Sequence, residues 1–334
     1  MRAVILVGGF GTRLRPLTFT TPKQMLPIVG EPMIERVVRA MAGHGVTDAV
    51  LSMGYRPDAF LDAYPDGRCA GVRLQYAVEP EPLDTAGAVR FAATAAGIDD
   101  TFIVVNGDVL TDLDVRALWD FHHERSAEGT IALTPVEDPS RFGVVPTDEK
   151  GQVTAFVEKP KPGTAPTNWI NAGTYVLEPS VLDRIPTGRK VSIERETFPA
   201  MVVDGSLYAM PSDAYWVDAG TPNTYAEVQL DLIDGTRGEA ETAVHPSVTI
   251  SPSAVVDHSV VMAGASIGDD AVIRDSVILP GARLDPRVFV DGSVIGAGAR
   301  VGEGAVLSGM TVIGDRYEVR AGAHLDGARV PEEG

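Results

Sequence analysis

The sequence predicts a two-part chain: an α/β domain on a mostly parallel sheet, followed by a parallel β-helix. Three observations carry this. The chain has 334 residues, too many for one ordinary core. Short apolar runs alternate with helical periods through the first two-thirds, the pattern of a parallel sheet covered on both faces. After about residue 240 an aliphatic residue recurs at every sixth position, a period that no helix or flat strand produces.

Taken in order, Ala3–Val7 reads as a buried strand that Gly8 and Gly9 end. Ile34, Val37, Val38 and Met41 follow at helical spacing. Residues 49–53 form the next strand, with a short helical stretch near Ala59–Ala63. Residues 72–78 are a strand and 84–97 a small-residue helix. Residues 102–106, "FIVVN", are a buried strand, and 114–127 an amphipathic helix. Residues 129–180 are more β-rich and irregular. Residues 223–235 close the region as a helix ending at a glycine.

In the tail, Val255, Val261, Ile267, Ile273 and Leu279 are six apart. The register slips, then Phe289, Ile295, Val301, Leu307, Ile313, Val319 and Leu325 repeat the spacing. Such residues stack coil on coil inside a β-helix. Cys69 is the only cysteine, so no internal disulfide forms, which fits a reducing cytoplasm. No apolar run is long enough to span a bilayer, and no CxxC or HExxH metal pattern occurs. A formal charge of −18 disfavours nucleic acid and anionic membranes as partners.

Against that acidity the segment Leu6–Gly30 holds Arg13, Arg15 and Lys23 and no carboxylate. Its glycines follow a strand directly, where open α/β sheets bind ligands. It lacks the third glycine of a dinucleotide fingerprint and the Gly-Lys-Ser/Thr of a P-loop. Physically it is a glycine-rich loop that holds an anion. Asp108 ends "FIVVNGD" on the same rim, and Asp218 follows the apolar run in "YWVDAGTP". Each alone reads as a turn or loop aspartate. Together they suffice for a Mg²⁺ carried by a triphosphate, which needs one or two protein carboxylates.

These residues resemble the sugar-1-phosphate nucleotidylyltransferases. The resemblance rests on "GGFGTRLRPLT…PK" (8–23), "EPLDTAG" (81–87), "NGD" (106–108), "FGVV" (142–145), "EKP" (158–160), "NAGTYVL" (171–177), "SIERETFP" (192–199) and "WVDAGTP" (216–222), then the hexapeptide tail. "SIERETFP" and the short β-helix look most like the mannose-1-phosphate guanylyltransferases. The resemblance implies a Rossmann-like, mixed-sheet nucleotidyltransferase domain over 1–238 and a left-handed β-helix over 239–334.

It also implies roles. Leu6, Gly8, Gly9, Gly11 and Thr12 would wrap the nucleotide, with Arg13 on the triphosphate and Lys23 at the reacting centre. Glu79, Pro82, Asp84, Thr85, Ala86 and Gly87 match the base-reading segment, and Asn106 and Gly107 lead into Asp108. Asp108 and Asp218 would hold Mg²⁺. Gly143, Glu158, Lys159, Asn171 and Gly173, with Asp218, match the sugar-phosphate side. The family usually has glycine where Asp84 stands. That carboxylate either accepts from guanine or caps the following helix.

The implied substrates are an NTP and a sugar 1-phosphate, GTP and mannose 1-phosphate favoured. Glucose 1-phosphate or a cyclitol phosphate with dTTP, UTP or ATP is the alternative. A non-catalytic regulatory subunit is a second class; it would lack Arg13, Lys23, Asp108 or Asp218, and all four are present. A β-helix acyltransferase is a third, but His245, His258 and His324 stand singly in the tail. A homo-oligomer, dimer before tetramer, is expected. No matched catalytic residue lies beyond Asp218, so removal of the tail is expected to leave the phosphate site chemically complete.

Overall fold

The computed structural model describes residues 1–332. The chain divides into two compact units: 1–9 with 34–216, and 10–33 with 217–334. The opening glycine loop therefore passes from the first unit to the second after Gly9.

The first unit is built on a ten-stranded mixed sheet. Strands β1 (Arg2–Leu6), β2 (Asp48–Met53), β3 (Val72–Val78) and β4 (Phe102–Asn106) are parallel and lie in the order β3-β2-β1-β4. Helices α1 (Met33–Gly43), α2 (Pro57–Ala63) and α3 (Asp84–Ala95) supply the crossovers, since parallel neighbours cannot be joined by a tight turn. Helix α4 (Val115–Arg125) follows β4, with Asp114 capping it through a bond from Ala117 N.

Beyond β4 the sheet turns antiparallel. Strand β5 (Gly129–Pro135) pairs with β6 (Trp169–Leu177), which also lies against β4. The irregularity expected over 129–180 is a register shift between Asn171 and Tyr175 and a hairpin, 143–144 with 157–158, that meets β6 at Ile170, on the edge that β4 occupies further along. Helix α5 (Phe198–Asp204) precedes β7 (Leu207–Pro211), which joins β5 in parallel. Between β4 and β1 the strand order reverses, and the chain leaves both strands there at the same level, Leu6 opposite Asn106. The core is mainly apolar, with Val4, Val89, Phe102, Val104, Ile131, Phe198 and Leu207 fully buried.

In the second unit, helix α6 (Pro222–Ile233) starts at a capping box between Thr221 and Thr224. The tail then winds into three five-stranded parallel sheets, the three-sided prism of a left-handed β-helix. Its inward residues stack in columns. One column runs Ile250, Ile267, Leu284, Val301 and Val319; a second Val256, Ile273, Val290, Leu307 and Leu325; a third Val261, Ile278, Ile295, Ile313 and Val330.

The coil repeat is therefore 17 residues, as the Ser276-to-Ser259 bond measures, and lengthens to 18 where Asp315 bonds Ala297. This explains the register slip and corrects its reading. One edge of each early coil is a residue short, so a strict six-residue count drifts off the interior. Val255 faces outward, 48% exposed, and Phe289 is half-buried, while Val256 and Val290 point in. At the short edge Ser259, Ser276 and Ser293 stack, each hydroxyl donating to the carbonyl two residues back. The Ser259 and Ser276 hydroxyls also accept the backbone N–H of the next serine, so these buried groups are satisfied.

Candidate active site

In the first unit, residues from three strand ends meet. Gly8 and Gly9 leave β1, Asp108 sits in the turn after β4, and Gly107 N donates to Leu6 O at 3.0 Å. Val7 N bonds Ser52 O, near the end of β2, at 3.0 Å. The sequence expectation that Asp108 shares a rim with the glycine loop holds. Asn106 is half-buried at the strand end and Gly107 buried.

Glu79, after β3, works within the protein. Its carboxylate accepts from Ser52 Oγ at 3.1 Å and Leu83 N at 3.0 Å, so it fixes the loop carrying the exposed Pro82. Thr85 likewise faces inward. Its hydroxyl donates to Glu194 Oε2 at 2.8 Å and accepts from Ile193 N. Ala86 N and Gly87 N both reach Val191 O. The 84–87 turn is thus welded to "SIERETFP", whose residues Ile193–Thr197 form one π-helical turn. Glu194 was not singled out from sequence; the π turn that places it leaves no periodic signal.

Asp84 has φ 63, the left-handed region where glycine is at ease and aspartate is tolerated. That accounts physically for the glycine that the resemblance would put at this position. Its carboxylate accepts Thr85 N at 2.8 Å, within the first turn of α3, and the side chain is exposed.

On the sugar side, Gly143 and Glu158 are opposite each other in the edge hairpin. Lys159 Nζ lies 3.3 Å from Glu158 Oε1. Asn171 donates to the Tyr175 hydroxyl at 2.8 Å and accepts Gly173 N at 2.9 Å, at the irregular point of β6. Burial of the Tyr175 phenol, against the Glu194 charge, pushes its pKa far up, so the hydroxyl stays neutral.

The second unit carries Arg13, Arg15 and Lys23. Gly11 stands at φ 62 and opens the single turn Thr12–Leu14. A Cβ there would lie 2.9 Å from Thr18 Cγ2 and 3.0 Å from Lys23 Cβ, so only glycine closes this loop. Thr18 Oγ1 bonds Gly11 O at 2.8 Å. Lys23 opens another single turn, Lys23–Met25, after Pro22. Arg13 Nη2 lies 3.4 Å from Asp218 Oδ2, and the Arg13 side chain is 54% exposed. Gly220 makes this pair possible: a Cβ would sit 2.5 Å from Arg13 Nη2 and 2.6 Å from Asp218 Oδ1. It stood in the quoted "WVDAGTP" with no role assigned. Arg15, the third cation, lies over the Phe19 ring at 5.5 Å.

Among the described residues no group of three or more His, Cys, Asp or Glu is placed to hold a metal by itself. The donor chemistry on offer is single carboxylates, Asp108 in one unit and Asp218 in the other. This suits a hard cation that arrives on a polyphosphate and keeps oxygen ligands of its own. Of the tail histidines, His258 does not stand singly: it bridges Asp275 at 2.5 Å and Asp234 at 3.0 Å. Cys69 is buried.

Comparison with known proteins identifies the family of the chain. The nucleotidyl transferase family profile matches residues 2–235, and the GMPPB C-terminal domain profile matches 239–332. A mannose-1-phosphate guanylyltransferase of Mycobacterium tuberculosis is 43% identical over 82% of this chain and 80% of its own. A mannose-1-phosphate guanyltransferase of Hypocrea jecorina is 44% identical over 67% of this chain, which spans 62% of that protein. Among solved structures, HddC from Yersinia pseudotuberculosis complexed with GMP-PN is 31% identical over 68% of this chain and 97% of its own, with TM-score 0.59. A putative glucose-1-phosphate thymidylyltransferase from Bacillus anthracis is 25% identical over 69% and 94%, with TM-score 0.62. This chain belongs to the nucleotidyl transferase family and ends in a domain of the GMPPB C-terminal type.

Proposed function

We propose that the chain transfers a guanylyl group from GTP to mannose 1-phosphate, releasing pyrophosphate. The relatives named for that reaction support the choice of substrates, and the Arg13–Asp218 pair beside Gly220 is the observation that carries the chemistry. An exposed guanidinium held at one end by a carboxylate is poised to exchange that partner for a phosphate.

The sugar phosphate is an ionised nucleophile, so its oxygen attacks the α-phosphorus without a general base or a covalent enzyme intermediate. The protein's task is to align two anions and offset their repulsion. Gly8, Gly9, Gly11 and Thr12 admit the triphosphate close to the backbone. Arg13 and Lys23 neutralise it, and Lys159 holds the sugar's phosphate. Glu79 and Thr85 act behind the base segment, holding it in place. Mg²⁺, held by Asp108 and Asp218, would supply charge stabilisation on the phosphate oxygens. The enzyme works in the cytoplasm as a homo-oligomer, dimer before tetramer; among the described residues no helix is long and apolar enough to cross a membrane. Light scattering at micromolar concentrations tests the assembly, and a monomer throughout would refute it.

A panel of NTPs against sugar 1-phosphates, read by pyrophosphate release, tests the substrates. Preference for GTP with mannose 1-phosphate is expected. Preference for dTTP or UTP would overturn the guanylyl assignment and leave nucleotidyl transfer standing.

A further inference from the structure

Two residues of the β-helix grip the loop that carries Arg13 and Lys23. Arg329, in the strand Arg329–Val330, donates through Nη1 to Arg13 O at 2.8 Å and Arg15 O at 3.5 Å. Asp315 accepts from Thr20 Oγ1 at 2.8 Å and Thr21 Oγ1 at 3.4 Å through one oxygen. Its other oxygen takes Ala297 N at 2.9 Å, which ties it to the coil beneath. The pair spans 18 residues because the coil takes up one extra residue just before it, between Leu307 and Val312. Beside them the backbone at Gly314 packs against the Pro16 ring, which a Cβ would meet at 3.1 Å.

The two anchors bracket residues 13–21. The segment has little regular structure of its own: two isolated 3-10 turns, Thr12–Leu14 and Leu17–Phe19. Such a segment costs conformational entropy to order, and a cationic loop left loose would meet that cost again on each binding of triphosphate. The anchors stand on a paired framework: Arg329 lies in the last strand of its sheet, bonded to Val312–Ile313, which in turn pairs with Val294–Ile295 beneath.

We propose that Arg329 and Asp315 are positioning residues for the nucleotide's phosphates, which makes the β-helix part of the NTP site rather than an appendage. The inference rests on the functional reading of Arg13 and Lys23. It goes beyond that reading in assigning roles to residues far along the chain from the loop, 316 positions for Arg329 to Arg13 and 295 for Asp315 to Thr20.

The test compares wild type, Arg329→Met, Asp315→Asn and the control Arg300→Met. Arg300 makes the same kind of surface contact, to Asp285, without touching the loop. Arg329→Met and Asp315→Asn should raise KM for GTP about tenfold and leave KM for the sugar phosphate within about twofold. Arg329→Lys, which keeps one donor, should recover part of the loss. Arg300→Met should change neither constant. Hydrogen exchange supplies a second readout: amides over residues 12–22 should exchange faster in the two anchor variants than in wild type or control. Unchanged KM for GTP together with unchanged exchange in this loop would overturn the proposal. If wild type turns over no NTP with any sugar 1-phosphate, the functional reading fails instead, and exchange alone then decides whether the anchors hold the loop.

Discussion

The two units make cores by opposite rules. In the sheet unit, β1 lies between β2 and β4, strands drawn from about residues 50 and 105, and the side chains at their ends have no regular spacing. In the β-helix each strand touches only the coils above and below, 17 residues away over most of its length. The irregular unit gathers Gly8, Glu79, Asn106 and Asp108 from three strand ends. The regular one stacks Ile267 on Leu284 on Val301 and carries no chemistry in its interior. A periodic core gives stiffness, whereas a site needs unlike groups brought together, which only non-local connections supply.

The sharpest way to break the contrast is at the carboxylates. Asp108→Asn and Asp218→Asn should each lower turnover by about 10²-fold or more, because an amide is a poor ligand for a hard cation and loses a charge beside phosphates. Circular dichroism should be unchanged. Wild-type turnover in both would show that neither aspartate serves the reaction.

Removal of the residues after Gly238 is the next largest. Sequence alone left the phosphate site complete in such a truncation. With Arg329 and Asp315 gripping residues 13–21, saturating turnover should fall and KM for GTP rise by at least the factor expected for the anchor variants. Kinetics equal to full length would reduce the β-helix to an assembly module.

A pair of glycine substitutions separates the two kinds of order. Gly11→Ala forces a Cβ against Thr18 and Lys23 at φ 62, so activity should drop about tenfold with little change in melting temperature. Gly268→Ala drives a Cβ to 2.7 Å from Pro286 N in the next coil, away from the anchors, so melting temperature should fall by several degrees, for about 1–3 kcal/mol of overpacking. The reverse pattern in a melting and activity series would dissolve the distinction.

The smallest effect is in pH. His258 is raised above its ordinary 6.5, first by its bond to Asp275 and then by Asp234. A raised value means that the stabilisation is complete below 6.5 and is lost as the pH climbs past the raised value. His122, buried in the sheet unit beside Thr130 and Glu178, is lowered chiefly by burial, so it destabilises as the pH falls below 6.5. Melting curves from pH 5.5 to 8.5 should show the alkaline loss in wild type and its flattening in His258→Gln. Equal slopes would remove His258 as a contributor.

The sequence by itself determined the alternation of strand and helix, because burial on two faces demands continuous apolar runs and a covering helix of fixed period. It determined the β-helix from a repeating aliphatic period, and it set glycines and cations directly after a strand end. Its six-residue count failed at Val255 and Phe289, where a short edge shifted the interior by a residue that only coil-on-coil pairing reveals. Tertiary structure alone decided that Glu79 and Thr85 hold the protein rather than face outward, that Gly220 clears space for Arg13 and Asp218, and that Arg329 reaches the loop at Arg13. Each of these is a contact between distant segments. A local pattern records what a residue is suited to do, but not which partner the folded chain brings within 3 Å of it.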